Sequence, residues 1–352
     1  MPDARVIAII LHPDTRADAD PLVQAVGLAR TSLAEEHRRS FLAAGADDAR
    51  IISGPPGALS FGSRLREIAA TLPPRAGIVT LGSGAVPLAT RADRTRFIAA
   101  ARSARALANN RYSADIVAVP AARATLADLP DDLATDNALP RWLADVASVP
   151  VDDVSGRWRL AMDLDTALDL VLLGGRWASW LAVADRQRVE ERLTQVRAVA
   201  ADPRAELVVA GRTSPASLTW LSRASASRTR AIVEERGLRT SVPGQRPPAS
   251  VLGLLLDRDG PGSLADHLAR LGEAAIVDTR VLLAHRLGPA QTRWPSAEDR
   301  FASDLLLHER VVDPWLRELT RAAADGPIPV LFGAHSLVGP GLRLALGATR
   351  PR

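Results

Sequence analysis

The sequence predicts an α/β architecture, a mostly parallel sheet flanked by helices followed by a second, smaller α/β domain. Short β-branched apolar runs alternate with longer helical patterns through the first half, which is the signature of parallel strands with crossover helices. The alternation starts again near Glu206, and a chain of 352 residues exceeds one average domain. Apolar residues at 47% and charged residues at 24% are ordinary globular values, so both halves have the means to bury a core. The expected domains are residues 1–185 and 186–352.

Arg5 to Leu11 reads as the first strand. Ser32 with Glu35 matches a capping box opening a helix that carries Leu33, Phe41 and Leu42, and Arg50 to Ser53 supplies the next strand. Phe61, Leu65, Ile68 and Leu72 fall at helical spacing, Ile78 to Leu81 makes a third strand and Asp115 to Val119 a fourth. Leu139, Trp142, Leu143 and Val146 mark an amphipathic helix, and an apolar helix follows Asp163-Leu164-Asp165-Thr166. The alternating acids and arginines of Asp185 to Arg197 suit the solvated face of a connecting helix. Beyond it, a strand at Glu206 to Ala210 leads through Gly211-Arg212-Thr213-Ser214 into a long arginine-rich helix reaching Arg236. Strands are expected at Val251 to Leu256, Ala274 to Val277 and Ile328 to Phe332, and helices around Leu264 to Leu271 and Glu298 to Ala324. Thr240 to Ser250, with three prolines and a glycine, reads as a mobile loop.

All 44 basic residues are arginine, and against 40 acids they leave a net charge of only +4. The arginines are interleaved with acids instead of gathered into runs, so no nucleic-acid footprint is read. The absence of cysteine excludes disulfides, thiol catalysis and thiolate metal sites and fits a cytoplasmic location. The first residues lack the apolar length of a signal peptide. The apolar stretch Leu168 to Ala184 is interrupted by Asp169, Gly174, Gly175 and Arg176, so no membrane partner is expected.

The most specific chemical signal is Asp163-Leu164-Asp165-Thr166-Ala167-Leu168-Asp169-Leu170. It resembles the D-x-D-T-P-x-D-L segment of nucleotidyltransferase domains of the glycosyltransferase-A type, exemplified by molybdenum cofactor and phospholactate guanylyltransferases. Leu81-Gly82-Ser83-Gly84-Ala85-Val86-Pro87-Leu88 is similar to the G-D-x-P-L turn of the same family, with Ala85 standing where the principal metal-binding aspartate is expected. Gly27 to Leu33 is the nearest counterpart of the K-x-R-L element, although the segment after the first strand, His12-Pro13-Asp14-Thr15-Arg16, is acidic and without glycine.

That resemblance spans roughly Arg5 to Arg176 and implies transfer of a nucleotidyl group from a nucleoside triphosphate to a phosphorylated or sugar-like small-molecule acceptor. It implies Mg2+ as cofactor, with Asp163 and Asp165 as catalytic carboxylates and Asp165 as the metal ligand, since magnesium takes hard oxygen donors and needs few from the protein. Gly82, Ser83 and Gly84 would let the backbone approach the nucleotide, and Arg30 would contact phosphate. Asn109 and Asn110, two of only three asparagines, could read a base or sugar edge.

Each assignment has a plainer rival. Asp165 or Thr166 could be a helix N-cap with Asp169 in its first turn; Arg30 could be a surface arginine, and an asparagine could end a helix. The missing acid at Ala85 also favours a non-catalytic protein that binds a nucleotide or a partner. In the second half, Gly211 to Ser214 could hold an anion between strand and helix. Gly333-Ala334-His335-Ser336 lacks a nucleophile elbow, and His285 and His308 lack zinc-site spacing.

Overall fold

The computed structural model describes residues 4–55, 59–133, 136–235 and 248–347. The chain divides into two compact units, Met1–Asp18 with Gly27–Leu164, and Ala19–Val26 with Asp165–Arg352. Residue 185 therefore falls inside the second unit, which is the longer of the two. Both are α/β, as expected.

In the first unit β1 (Val6–Pro13) is followed by α1 (Pro21–Ala43, whose opening turns are assigned to the second unit), β2 (Asp48–Gly54), α2 (Phe61–Ala70), β3 (Gly77–Gly82) and α3 (Arg91–Ala101). A short β4 (Ala106–Ala108), β5 (Ile116–Val119), α4 (Ala122–Thr125), α5 (Leu139–Asp145) and β6 (Val151–Asp153) complete it. The sheet order is β2-β1-β3-β5-β4-β6. β1 pairs in parallel with β2 and β3, β5 runs antiparallel to both β3 and β4, and β4 pairs in parallel with β6.

The side-chain alternation of a strand sorts β1 between two cores. Val6, Ala8 and Ile10 pack in one cluster with Phe41 of α1 and Phe97 and Ile98 of α3. Ile7 and Ile9 pack in another with Leu65 and Ala69 of α2 and Leu139, Trp142 and Leu143 of α5. A sheet covered on both faces explains why β1 and β3 read as continuous apolar runs.

Ser32 does not open a helix; it lies within α1. The start is at Asp20, whose carboxylate accepts from Leu22 N at 2.8 Å, with Pro21 in the first helical position, where its missing N–H costs nothing.

The second unit opens with α6 (Ala167–Leu173) and α7 (Val183–Ala201), which buries Val189, Leu193, Val196 and Ala200. Then come β7 (Glu206–Gly211), α8 (Pro215–Ala224), β8 (Arg228–Val233), α9 (Val251–Asp259), α10 (Leu264–Ala269), β9 (Ala274–Asp278), α11 (Thr279–Leu287), α12 (Ala297–Asp304), α13 (Pro314–Asp325), β10 (Val330–Gly333), α14 (His335–Val338) and α15 (Leu342–Leu346). Its sheet, β10-β9-β7-β8, is wholly parallel.

Three expectations in this unit are corrected. The arginine-rich helix stops at Ala224, and Arg228–Val233 is the strand β8, an outer strand of the described sheet with most side chains exposed, so it lacks the period-two apolar signal. Val251 to Leu256 is helical instead of extended: Ser250 caps it by accepting from Gly253 N, and the helix runs on through Asp257, Arg258 and Asp259. The helix expected over Glu298 to Ala324 is two, α12 and α13, the second started by Asp313 and Pro314. Of the expected Thr240 to Ser250 loop, residues up to 247 lie outside the described residues, as does Arg236. Among the described residues no helix is long and apolar enough to cross a membrane.

Candidate functional site

In the first sheet β1 lies between β2 and β3, so successive connections leave it in opposite directions. Such a switch point, at the carboxyl ends of the strands, is where open α/β sheets leave a crevice for ligands. His12 near the end of β1 and the Gly82-Ser83-Gly84 turn after β3 meet at this edge, where Ser83 N donates to Leu11 O at 2.9 Å.

The hydrogen bonds there fix a tautomer. Thr31 Oγ1, on α1, donates to Gly27 O at 3.1 Å, so its contact of 3.1 Å with His12 Nε2 has the imidazole as donor. Nδ1 is then the bare nitrogen, and Ser83 Oγ donates to it at 3.0 Å. His12 and Ser83 are both buried. Burial lowers the His12 pKa; Asp14 opposes the shift and Arg30 reinforces it. A neutral imidazole thus ties α1, β1 and the glycine turn together.

Arg30 Nε donates to Leu164 O at 2.8 Å, and Leu164 N donates to Gly84 O at 2.8 Å. Asp163 forms an antiparallel bridge with Ala85. The two segments that carry the family resemblance, 82–85 and 163–164, are therefore backbone neighbours. A Cβ on Gly84 would sit 2.6 Å from Leu164 O and 3.0 Å from Arg30 Nε, whereas one on Gly82 would meet nothing within 4 Å. Gly84 serves close packing, and Gly82 faces open space. Gly84→Ala is expected to lower stability by about 1–3 kcal/mol through overpacking, and Gly82→Ala by much less. Urea unfolding of the two variants checks the ranking.

Ala85, in the position of the expected acid, is 6% exposed in the core with Val86, and its carbonyl accepts from His37 Nε2 at 2.8 Å. His37 was not anticipated as part of this site, although it lies four residues from both Leu33 and Phe41 on the buried face of α1. Burial drives its pKa down to about 3, the Arg94 charge adds to the shift, and the Ala85 carbonyl opposes it.

Asp163 is buried, and Asp165, the first residue of the second unit's main segment, is exposed. Thr166 is the N-cap of α6 in a full capping box, as the plainer reading of this segment expected. Asp169 Oδ2 accepts from Asp165 N, Thr166 N and Thr166 Oγ1, and its Oδ1 accepts from Ser336 Oγ at 2.8 Å. Burial pushes Asp169 up to about 6, Asp165's charge adds to this, and the hydrogen bonds hold it back. Among the described residues no group of three His, Asp or Glu is arranged to hold a metal ion. With a core alanine where the resemblance requires an acid, the residues of the first unit fit a catalytic magnesium poorly.

Asn109 is 3% exposed, and its side chain is spent inside the unit: the amide donates to Asp115 Oδ2 and Leu160 O, and its oxygen accepts from Asp115 N. It follows β4 and braces the approach to β5. Asn110 Oδ1 accepts from Tyr112 N at 2.8 Å, a local turn contact beside the exposed Tyr112. The structure thus brings Gly82, Ser83, Gly84, Arg30 and Asp163 into one neighbourhood and gives Asn109 a bracing role. No protein-family model and no curated protein matches the chain.

Proposed function

We propose that the first unit is a divergent nucleotidyltransferase-like domain that binds a nucleoside triphosphate across the carboxyl edge of β1 and β3 without needing a metal. The supporting observation is the switch point itself, where Gly82 leaves open space beside a turn held by neutral His12 and where Arg30 lies next to Gly84. The ligand's phosphates approach the backbone at Gly82, where there is no side chain, and take the Arg30 guanidinium, which forms charge-assisted bonds to phosphate oxygens. Its base and sugar find no help from Asn109, which is already committed.

A second reading retains transfer to a phosphorylated or sugar-like acceptor, with magnesium on Asp165. It is favoured by the bridge that keeps Asp163 beside Ala85. Calorimetric titration with GTP, CTP, ATP and UTP, each with and without magnesium, separates the two. The binding reading expects affinity for at least one triphosphate that is unchanged by chelation of metal and falls about tenfold, or 1.4 kcal/mol, in Arg30→Ala. Binding that requires magnesium and vanishes in Asp165→Ala supports transfer instead; no triphosphate binding in either condition rejects both.

A further inference from the structure

The second sheet has its own switch point. β7 lies between β8 and β9, and the connections leave it first toward β8 and later toward β9. At the carboxyl ends of these strands stand Gly211-Arg212-Thr213-Ser214 after β7 and Asp278 at the end of β9. Gly211 has φ +133, and a Cβ there would collide with that of Asp278, so only glycine lets the two strand ends approach this closely. Asp278, 1% exposed, accepts from Arg280 N at 3.0 Å.

Two side chains on the β7 loop point to a ligand. The Arg212 side chain is only 9% exposed, and its Nε meets Glu235 Oε2 at 3.3 Å, on a side chain that is 56% exposed. Thr213 Oγ1 is buried and has no hydrogen-bond partner among the described residues. A buried hydroxyl left unbonded costs free energy that a bound acceptor would recover.

Other charges in this region have partners, Asp278 accepting from Arg280 N and, at 3.5 Å, from Arg212 N. Glu234 bonds to Ser250 Oγ and Val251 N, and Asp304 to Arg280. Arg212 is the buried cation beside the unbonded Thr213 hydroxyl, and its Glu235 partner is more than half exposed.

We infer that this loop is an oxyanion site of the second unit, taking a phosphate or carboxylate group of a small molecule. The ligand's oxygens replace Glu235 on the Arg212 guanidinium and accept from the Thr213 hydroxyl. Glu235 is the resident competitor: it keeps the guanidinium paired when the ligand is away and sets the affinity by being displaced. The site belongs to the second unit alone and does not rest on nucleotide binding by the first.

The test is calorimetric titration of the full chain with inorganic phosphate and with pyrophosphate, and separately with malonate as the carboxylate probe. Glu235→Gln removes the competing charge and is expected to tighten binding about threefold or more. Arg212→Ala is expected to weaken it at least about tenfold, with Arg212→Lys intermediate because a point charge replaces the bidentate fork. Thr213→Val, close in shape, reports the hydroxyl, and melting temperatures of all variants identify any that fail to fold. Phosphate binding without malonate binding assigns the phosphate class, and the reverse the carboxylate class. The inference is overturned if both probes bind wild type and Arg212→Ala alike, if Glu235→Gln fails to tighten binding, or if the binding seen is abolished by Arg30→Ala and untouched at Arg212.

Discussion

Arg280→Ala and Asp304→Ala are each expected to destabilise the protein by about 3–5 kcal/mol, the range for breaking a fully buried ion pair. Arg280 Nη1 and Nη2 meet the two Asp304 oxygens at 2.5 and 2.6 Å, with side chains 4% and 0% exposed. Burial works against the guanidinium charge, and Asp304 with Asp278 and Asp169 more than offsets it, so the Arg280 pKa is raised. At Asp304, by contrast, burial outweighs the arginines and pushes the carboxyl up, as expected of a pair that desolvation penalises. Either truncation leaves an uncompensated charge in the interior, which accounts for most of the loss. The double variant Arg280→Met with Asp304→Leu removes both charges at similar volume and is expected to recover most of the stability. Urea unfolding of the three variants decides it: a double variant as damaged as the singles would mean that the pair is worth more than its desolvation.

The same pair carries a positional consequence. Arg280 Nη1 also donates to Thr279 Oγ1, which in turn donates to Gly333 O, so the ends of β9 and β10 are held by one network. Asp278, one residue before Thr279, packs against Gly211.

How much of this could be read beforehand depended on how each element meets water. β1, β3, β7 and β9 are buried on both faces and stand out as continuous apolar runs, and Thr166 with Asp169 announced the start of α6. β8 escaped because an outer strand with exposed Arg228 and Arg230 carries no burial pattern, and α9 because Val251 to Leu256 is too short a run to tell helix from strand by period. The antiparallel β5 gave no signal either, since strand direction is decided by connections and not by composition.

The candidate site was partly legible. The glycine turn and Arg30 were found through their resemblance to a family, and they do lie together. Ser83 and Thr31 were invisible as partners of His12, because contacts across 71 and 19 residues leave no local pattern.

His37 and Asp169 are expected to give the two units opposite responses to acid. The folded-state pKa of His37 is lowered from 6.5 to about 3, so the unfolded chain takes a proton first as pH falls. Its contribution is complete above pH 6.5 and is lost progressively down to about pH 3, a span worth about 5 kcal/mol. Asp169 is raised from 3.8 to about 6, so the unfolded chain loses its proton first as pH rises. Its contribution is complete below pH 3.8 and falls by about 3 kcal/mol by pH 6. His37→Gln keeps an N–H for the Ala85 carbonyl without the titration. Asp169→Asn keeps an acceptor for Thr166, and its amide can donate to Ser336 once that hydroxyl turns. Hydrogen exchange between pH 4 and 7, read on α1 for the first variant and on α6 for the second, compares each with wild type. The protection that wild type loses in α1 on acidification should be absent in His37→Gln, and the protection it gains in α6 should be absent in Asp169→Asn. Parallel pH profiles of variant and wild type in either helix would mean that the residue does not titrate between these limits, and for His37 that the Gly82 to Ala85 turn is held without a neutral imidazole beneath it.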